Sequence, residues 1–134
     1  MKFGRGIAVV IGCGVLALAL AACGGPAADL FGVTRSGAIK GADIVIVPSG
    51  QGTVLCDGHQ KELPDSLLLE AESFDFDYQS DKGLHLSSGP HPVYTYVVVT
   101  SNGTFSYSDD SPHLGKELRA LAGWTYTVAK SVCH

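Results

Sequence analysis

Basic residues are scarce in this chain. Lysine and arginine together number nine in 134 residues, against 13 aspartates and glutamates. Two of the nine, Lys2 and Arg5, sit at the very start, so the chain from residue 23 onward carries seven basic and 13 acidic groups. Nucleic-acid binding and electrostatic docking on anionic lipid both need Lys/Arg patches, and this composition argues against both. The common catalytic signatures are missing too. There is no G-x-S-x-G, no H-E-x-x-H, no P-loop and no complete dinucleotide fingerprint. His59, His85, His91, His113 and His134 are scattered, and the nearest pair, His85 and His91, is six apart, which is not a zinc spacing. No repeat or low-complexity tract is present. The expectation is a protein that is not an enzyme and holds no metal or cofactor.

One apolar run is long. It extends from Ile7 to Leu20, behind Lys2 and Arg5, and closes on Leu20-Ala21-Ala22-Cys23. A basic start, an apolar middle and small residues before a cut site describe a secretory signal peptide. An uncleaved membrane helix is one alternative. Gly6 to Ala22 spans 17 residues, short of the usual ~20, and Gly24-Gly25-Pro26 follows with no basic stop-transfer flank. An ordinary secretory signal that leaves Cys23 as a free thiol is another.

The cysteine directly after the two alanines makes the segment resemble a bacterial lipoprotein signal. That resemblance implies cleavage before Cys23, diacylglycerol on its thiol, and an acyl chain such as palmitate on the new N-terminus. The protein is then expected on the cell membrane, lipid-anchored and facing outside the cytoplasm. More than one acyl chain is physically sufficient, since each buried CH₂ contributes about 0.8 kcal/mol. The chain divides into a signal peptide (1–22), the lipidated cysteine with a flexible tether (23–30), and a single domain (31–134). Cleavage leaves 112 residues with a net charge of −6, enough for one core.

Of the four cysteines, Cys13 leaves with the signal and Cys23 takes the lipid. Cys56 and Cys133 remain, and in an exported domain one pair reads as one disulfide. A loop of that size is worth about 4 kcal/mol in chain-entropy models. A redox or metal-binding pair would be expected at C-x-x-C spacing, which is absent.

Three β-like runs open the domain: Phe31 to Ser36, Asp43 to Val47 before Pro48, and Thr53 to Cys56 before Asp57-Gly58. Gly50-Gln51-Gly52 has neither the third glycine nor the helix of a phosphate loop and reads as a turn. Beyond Pro64-Asp65, Leu67, Ala71, Phe74 and Tyr78 recur at helical spacing. The acidic residues of that stretch (Glu70, Glu72, Asp75, Asp77, Asp81) have no EF-hand pattern and read as a solvated face. Val93 to Thr100 and Thr104 to Ser108 form a hairpin around Asn102-Gly103, a pair suited to φ > 0. The same residues form a glycosylation sequon, which the turn explains sufficiently. Asp109-Asp110 could chelate a cation with Asn102, or with Ser111 could cap the next helix. That helix carries Leu114, Leu118, Leu121, Thr125 and Val128 on one face. Trp124 to Val128 could instead be a strand. The sum is an α+β domain: a small antiparallel sheet of about five strands with two helices packed on one face.

Two functions fit. One is a non-catalytic envelope lipoprotein that binds another envelope component through an edge strand or an aromatic surface such as Tyr94, Tyr96 and Tyr107. The other rests on Val33-Thr34-Arg35-Ser36-Gly37 with Gly41, Leu63-Pro64-Asp65 opening a helix, and Asp109-Asp110-Ser111-Pro112 before Leu118-Arg119-Ala120-Leu121. These short stretches resemble emfourin-like inhibitors of thermolysin-type metalloproteases, although Ala38 stands where a second glycine is expected. The resemblance implies a surface-tethered inhibitor of a secreted protease, with Arg35, Ser36 and Gly37 at the contact. Glycines at 37 and 41 also punctuate an ordinary hairpin.

Overall fold

The computed structural model describes residues 29–134. Residues 1–28, on which the expected signal peptide with Cys13, the expected lipidation at Cys23 and most of the expected tether fall, lie outside the described residues. The domain is α+β, with one antiparallel sheet of six strands and three helices, one more of each than the sequence suggests. The strands are β1 (Gly32–Gly37), β2 (Ile44–Pro48), β3 (Thr53–Cys56), β4 (His59–Glu62), β5 (Tyr94–Thr100) and β6 (Gly103–Ser108). The helices are α1 (Asp65–Ser73), α2 (Asp77–Lys82) and α3 (Lys116–Ser131). The strand order is β4-β3-β2-β1-β5-β6, so β1 is central and pairs with both β2 and β5.

Alternation along each strand sends one set of side chains to the helices and the other away from them. Val33, Ile46, Val54, Tyr96, Val98, Phe105 and Tyr107 form the inner layer. Ala71 of α1 and Leu118, Leu121, Trp124 and Val128 of α3 close over it. Phe31 and Phe76 lie in the same core, with the Phe31 ring edge-on to Phe76 at 5.5 Å and to Trp124 at 5.4 Å.

The departures from the sequence reading have local causes. β4 is extra because His59, Gln60, Lys61 and Glu62 are all exposed and show no alternation. It forms because Asp57 (φ 50) and Gly58 (φ 84) supply the two positive φ values a tight hairpin needs. Asn102-Gly103 does not play that part. Thr100 pairs with Gly103, so Ser101 and Asn102 are the turn residues. Gly103 opens β6 at φ 152, and a Cβ there would lie 2.6 Å from the Ser80 carbonyl of α2.

The helix expected through Tyr78 breaks after Ser73. Phe74 is extended, and Phe74 and Phe76 stack at 5.4 Å against the same aromatic cluster. Residues two apart share a face only in extended chain. Tyr78 consequently falls on the surface.

α3 runs unbroken through Trp124–Val128, resolving the strand alternative toward helix. Trp124, Thr125 and Val128 continue the buried stripe of Leu118 and Leu121, and Thr125 Oγ1 donates to the Leu121 carbonyl one turn back. Core packing here overrides the weak helix propensity of β-branched residues. Its N-cap is Gly115, not Asp110 or Ser111. The fold also begins slightly before residue 31: Leu30 N–H donates to Pro48 O, and Asp29 bridges to Ser49.

Candidate functional site

Cys56 ends β3 on its inner face, and Cys133 follows α3. They form a disulfide across a separation of 77 residues, with Cα atoms 5.5 Å apart. The link pins the end of α3 to the sheet, and there a cleft of about 410 Å³ opens. Arg35, Asp43, Asp57, Tyr94, Tyr126, Lys130 and His134 line it.

Arg35 occupies this place because it alternates with Val33 on β1 and shares the inner face. It is 6% exposed. Its Nε–H donates to the Ala42 carbonyl at 2.9 Å, and its guanidinium carbon lies 4.6 Å from the Tyr94 ring centroid. Stacking on an aromatic face suits the planar, weakly hydrated guanidinium. Ser36 and Gly37 are exposed, but Gly37 has a packing reason to be glycine. A Cβ there would stand 2.3 Å from the Val93 carbonyl. The sequence-predicted contact triplet is thus split, with its charged member turned inward and its two small members at the rim.

Charge in the cleft is not internally matched. Among the described residues no Lys, Arg or His nitrogen lies within 4.0 Å of a carboxylate oxygen. Asp43 Oδ1 accepts from Gly37 N–H and Asp57 Oδ1 from Val45 N–H, so both aspartates brace backbone. Lys130 Nζ sits 5.8 Å from the centroid of the Tyr126 ring. The neighbouring Tyr96 hydroxyl is pushed up to about 12 chiefly by burial, with Arg35 pulling the other way.

The second unusual surface is the sheet face turned away from the helices. Val45, Leu55, Val97 and Val99 are exposed there, with Val47 half-buried beside them. The other outward positions of β1, β2, β3, β5 and β6 are glycine, serine or threonine, so no charge appears until Glu62 on the β4 edge. A groove of about 420 Å³ crosses this face beside Asp29 and Leu30.

The remaining candidates are accounted for structurally. Asp109 Oδ1 accepts from Val93 and Tyr94 N–H. The Asp110 carboxylate accepts from Gly89 N–H, His91 N–H and Ser108 Oγ–H. Desolvation raises the Asp110 pKa, but these hydrogen bonds together outweigh it and hold the carboxyl below its usual range. The two aspartates clamp loop 87–93 to the end of β6. Asn102 donates instead to Asp77. His85 Nδ1 is 2.7 Å from Ser106 Oγ, and among the described residues no cluster of three His, Cys, Asp or Glu could hold a metal. No described helix is long and apolar enough to cross a membrane.

The cleft escapes sequence reading because its members come from β1, loop 38–43, β5 and the last turn of α3. The open face leaves a trace: in Val-Tyr-Thr-Tyr-Val-Val-Val-Thr the final valines occupy both parities of the strand. Comparison with protein-family models, curated proteins and solved structures finds no match.

Proposed function

We propose that this chain is an exported lipoprotein, held on the cell membrane by lipid on Cys23, whose domain binds an envelope protein without catalysing a reaction. Two features support it. The apolar N-terminal run ends in Leu20-Ala21-Ala22-Cys23, and the Cys56–Cys133 disulfide suits an oxidising compartment. The observation that carries the binding role is the uncharged outer sheet face. Solvent faces of antiparallel sheets are ordinarily polar, and a contiguous apolar patch marks an interaction surface. A net charge of −6 over residues 23–134, with no charge on this face short of Glu62 at the β4 edge, fits a neutral, apolar protein surface better than an anionic bilayer. Against the protease-inhibitor reading stands the burial of Arg35, which removes the charged group from the implied contact loop.

The test uses the full chain in its own envelope. Labelled palmitate should enter the wild type and not Cys23→Ser, and only the wild type should fractionate with membrane. A photo-crosslinking residue at Val97 should give one defined adduct that a control position on the helix side, Glu72, does not. Equal labelling of Cys23→Ser sinks the anchor, and identical adducts at both positions sink the binding face.

A further inference from the structure

We infer that the cleft at the disulfide end is a binding site for a carboxylate, received by the Arg35 guanidinium. A guanidinium has five N–H donors, and only Nε–H has a protein acceptor among the described residues, the Ala42 carbonyl. The other four belong to a side chain that is 6% exposed and lines the cleft. Residues 1–28 contain no aspartate or glutamate, so no carboxylate from that segment completes the set. Neither Arg35 Nη is among the buried side-chain atoms that lack a partner, so these donors open onto the cleft and are available to an incoming acceptor.

The geometry selects the ligand class. Tyr94 stacks on the guanidinium and the Ala42 carbonyl fixes Nε, so the plane of the fork is held. A held fork presents paired N–H groups that match the two oxygens of a carboxylate. Lys130 stands at the lip and adds positive charge. Asp43 and Asp57 each have one oxygen tied to backbone, leaving the other to accept from N–H groups of the same ligand. A peptide C-terminus carries both features, whereas a free small carboxylate carries only the first. A volume of about 410 Å³ lies within the range of small-ligand sites.

This inference goes beyond the reading above, since the cleft shares none of its lining with the outer sheet face. The full chain, purified in detergent with its disulfide intact, is titrated with acetyl-dialanine, acetyl-dialanine amide and sodium acetate. The Arg35 Nε–H resonance is followed by NMR. A saturable shift with acetyl-dialanine and none with the amide is expected. Acetate binding about tenfold more weakly assigns the site to peptide termini; acetate binding equally well assigns it to free carboxylates. No saturable shift with either carboxylate, or the same shift with the amide, overturns the inference. Arg35→Lys should weaken binding at least about tenfold and Lys130→Ala about threefold. If Arg35→Lys does not fold, the wild-type Arg35 resonance still decides. Palmitate labelling does not involve Arg35, so a labelled chain that binds no carboxylate overturns this inference alone.

Discussion

The two faces of this sheet are built from the same strands and do different things. The inner face is aromatic and closed: Tyr96 and Tyr107 stack at 4.9 Å, and Phe105, Val33, Ile46 and Val54 share one buried core with Ala71 of α1 and the apolar stripe of α3. The outer face is aliphatic and open. Three consecutive valines of β5 display the contrast, with Val98 0% exposed between Val97 at 39% and Val99 at 53%. Identical side chains one residue apart thus hold the fold on one side and meet solvent on the other. Apolarity alone does not say which is which; the helices do.

If the inner face carries stability, the largest loss follows from its largest side chain. Trp124 is fully buried, edge-on to Phe31 and Phe74, and its Nε1–H donates to the Leu67 carbonyl. Trp124→Ala should cost about 3–5 kcal/mol, measured as a fall in urea midpoint. A loss under about 1 kcal/mol would mean that α3 is not the principal cover. Removing the disulfide by Cys56→Ser with Cys133→Ser should cost about 2–5 kcal/mol and loosen the end of α3 first, seen as faster amide exchange there.

A direct comparison comes next. Val98→Ala should destabilise by about 2 kcal/mol, because its methyl groups leave a void among packed neighbours. Alkaline pH probes the same face. Burial raises the Tyr96 hydroxyl to about 12, and burial with the nearby Tyr96 raises Tyr107 further. A phenol whose folded pKa exceeds the unfolded value of about 10 keeps its full contribution below pH ~10. That contribution is lost as pH rises through the folded pKa. Stability should therefore decline from about pH 10 upward, and Tyr96→Phe should flatten the slope. An unchanged slope would show that Tyr96 is not what titrates.

The sequence makes the inner face legible because periodicity reports burial. The β1–β3 strands, the β5–β6 hairpin, the α3 stripe and the Cys56–Cys133 pair all follow from spacing or count. What it hides is whatever tertiary contact decides. The break at Phe74 depends on where Phe31 and Trp124 lie, and β4 depends on the two positive φ values at Asp57 and Gly58. Arg35 reads as a surface loop residue because arginine is rarely buried. Only its parity with Val33 hints that it points inward, and only the assembled fold brings Tyr94 and Lys130 to it.

The outer face yields the smallest expected change in stability and the sharpest test of purpose. Val97→Thr and Val99→Thr retain the β-branched shape that a strand favours and exchange one exposed methyl for a hydroxyl. Each should alter the urea midpoint by less than about 0.5 kcal/mol, against about 2 kcal/mol at Val98. A solvent face with no partner gains from the change, since hydroxyls hydrate and valine methyls do not. A docking face loses by it, because the hydroxyls must be desolvated on binding without an acceptor to receive them. Unchanged stability with a weakened Val97-position crosslink in the Val99→Thr background would give the two faces separate roles. Unchanged stability with an undiminished crosslink would mean that the valines are tolerated there but not used. A loss near 2 kcal/mol at either outer position would remove the comparison itself, because the outer face would then be part of the folding core.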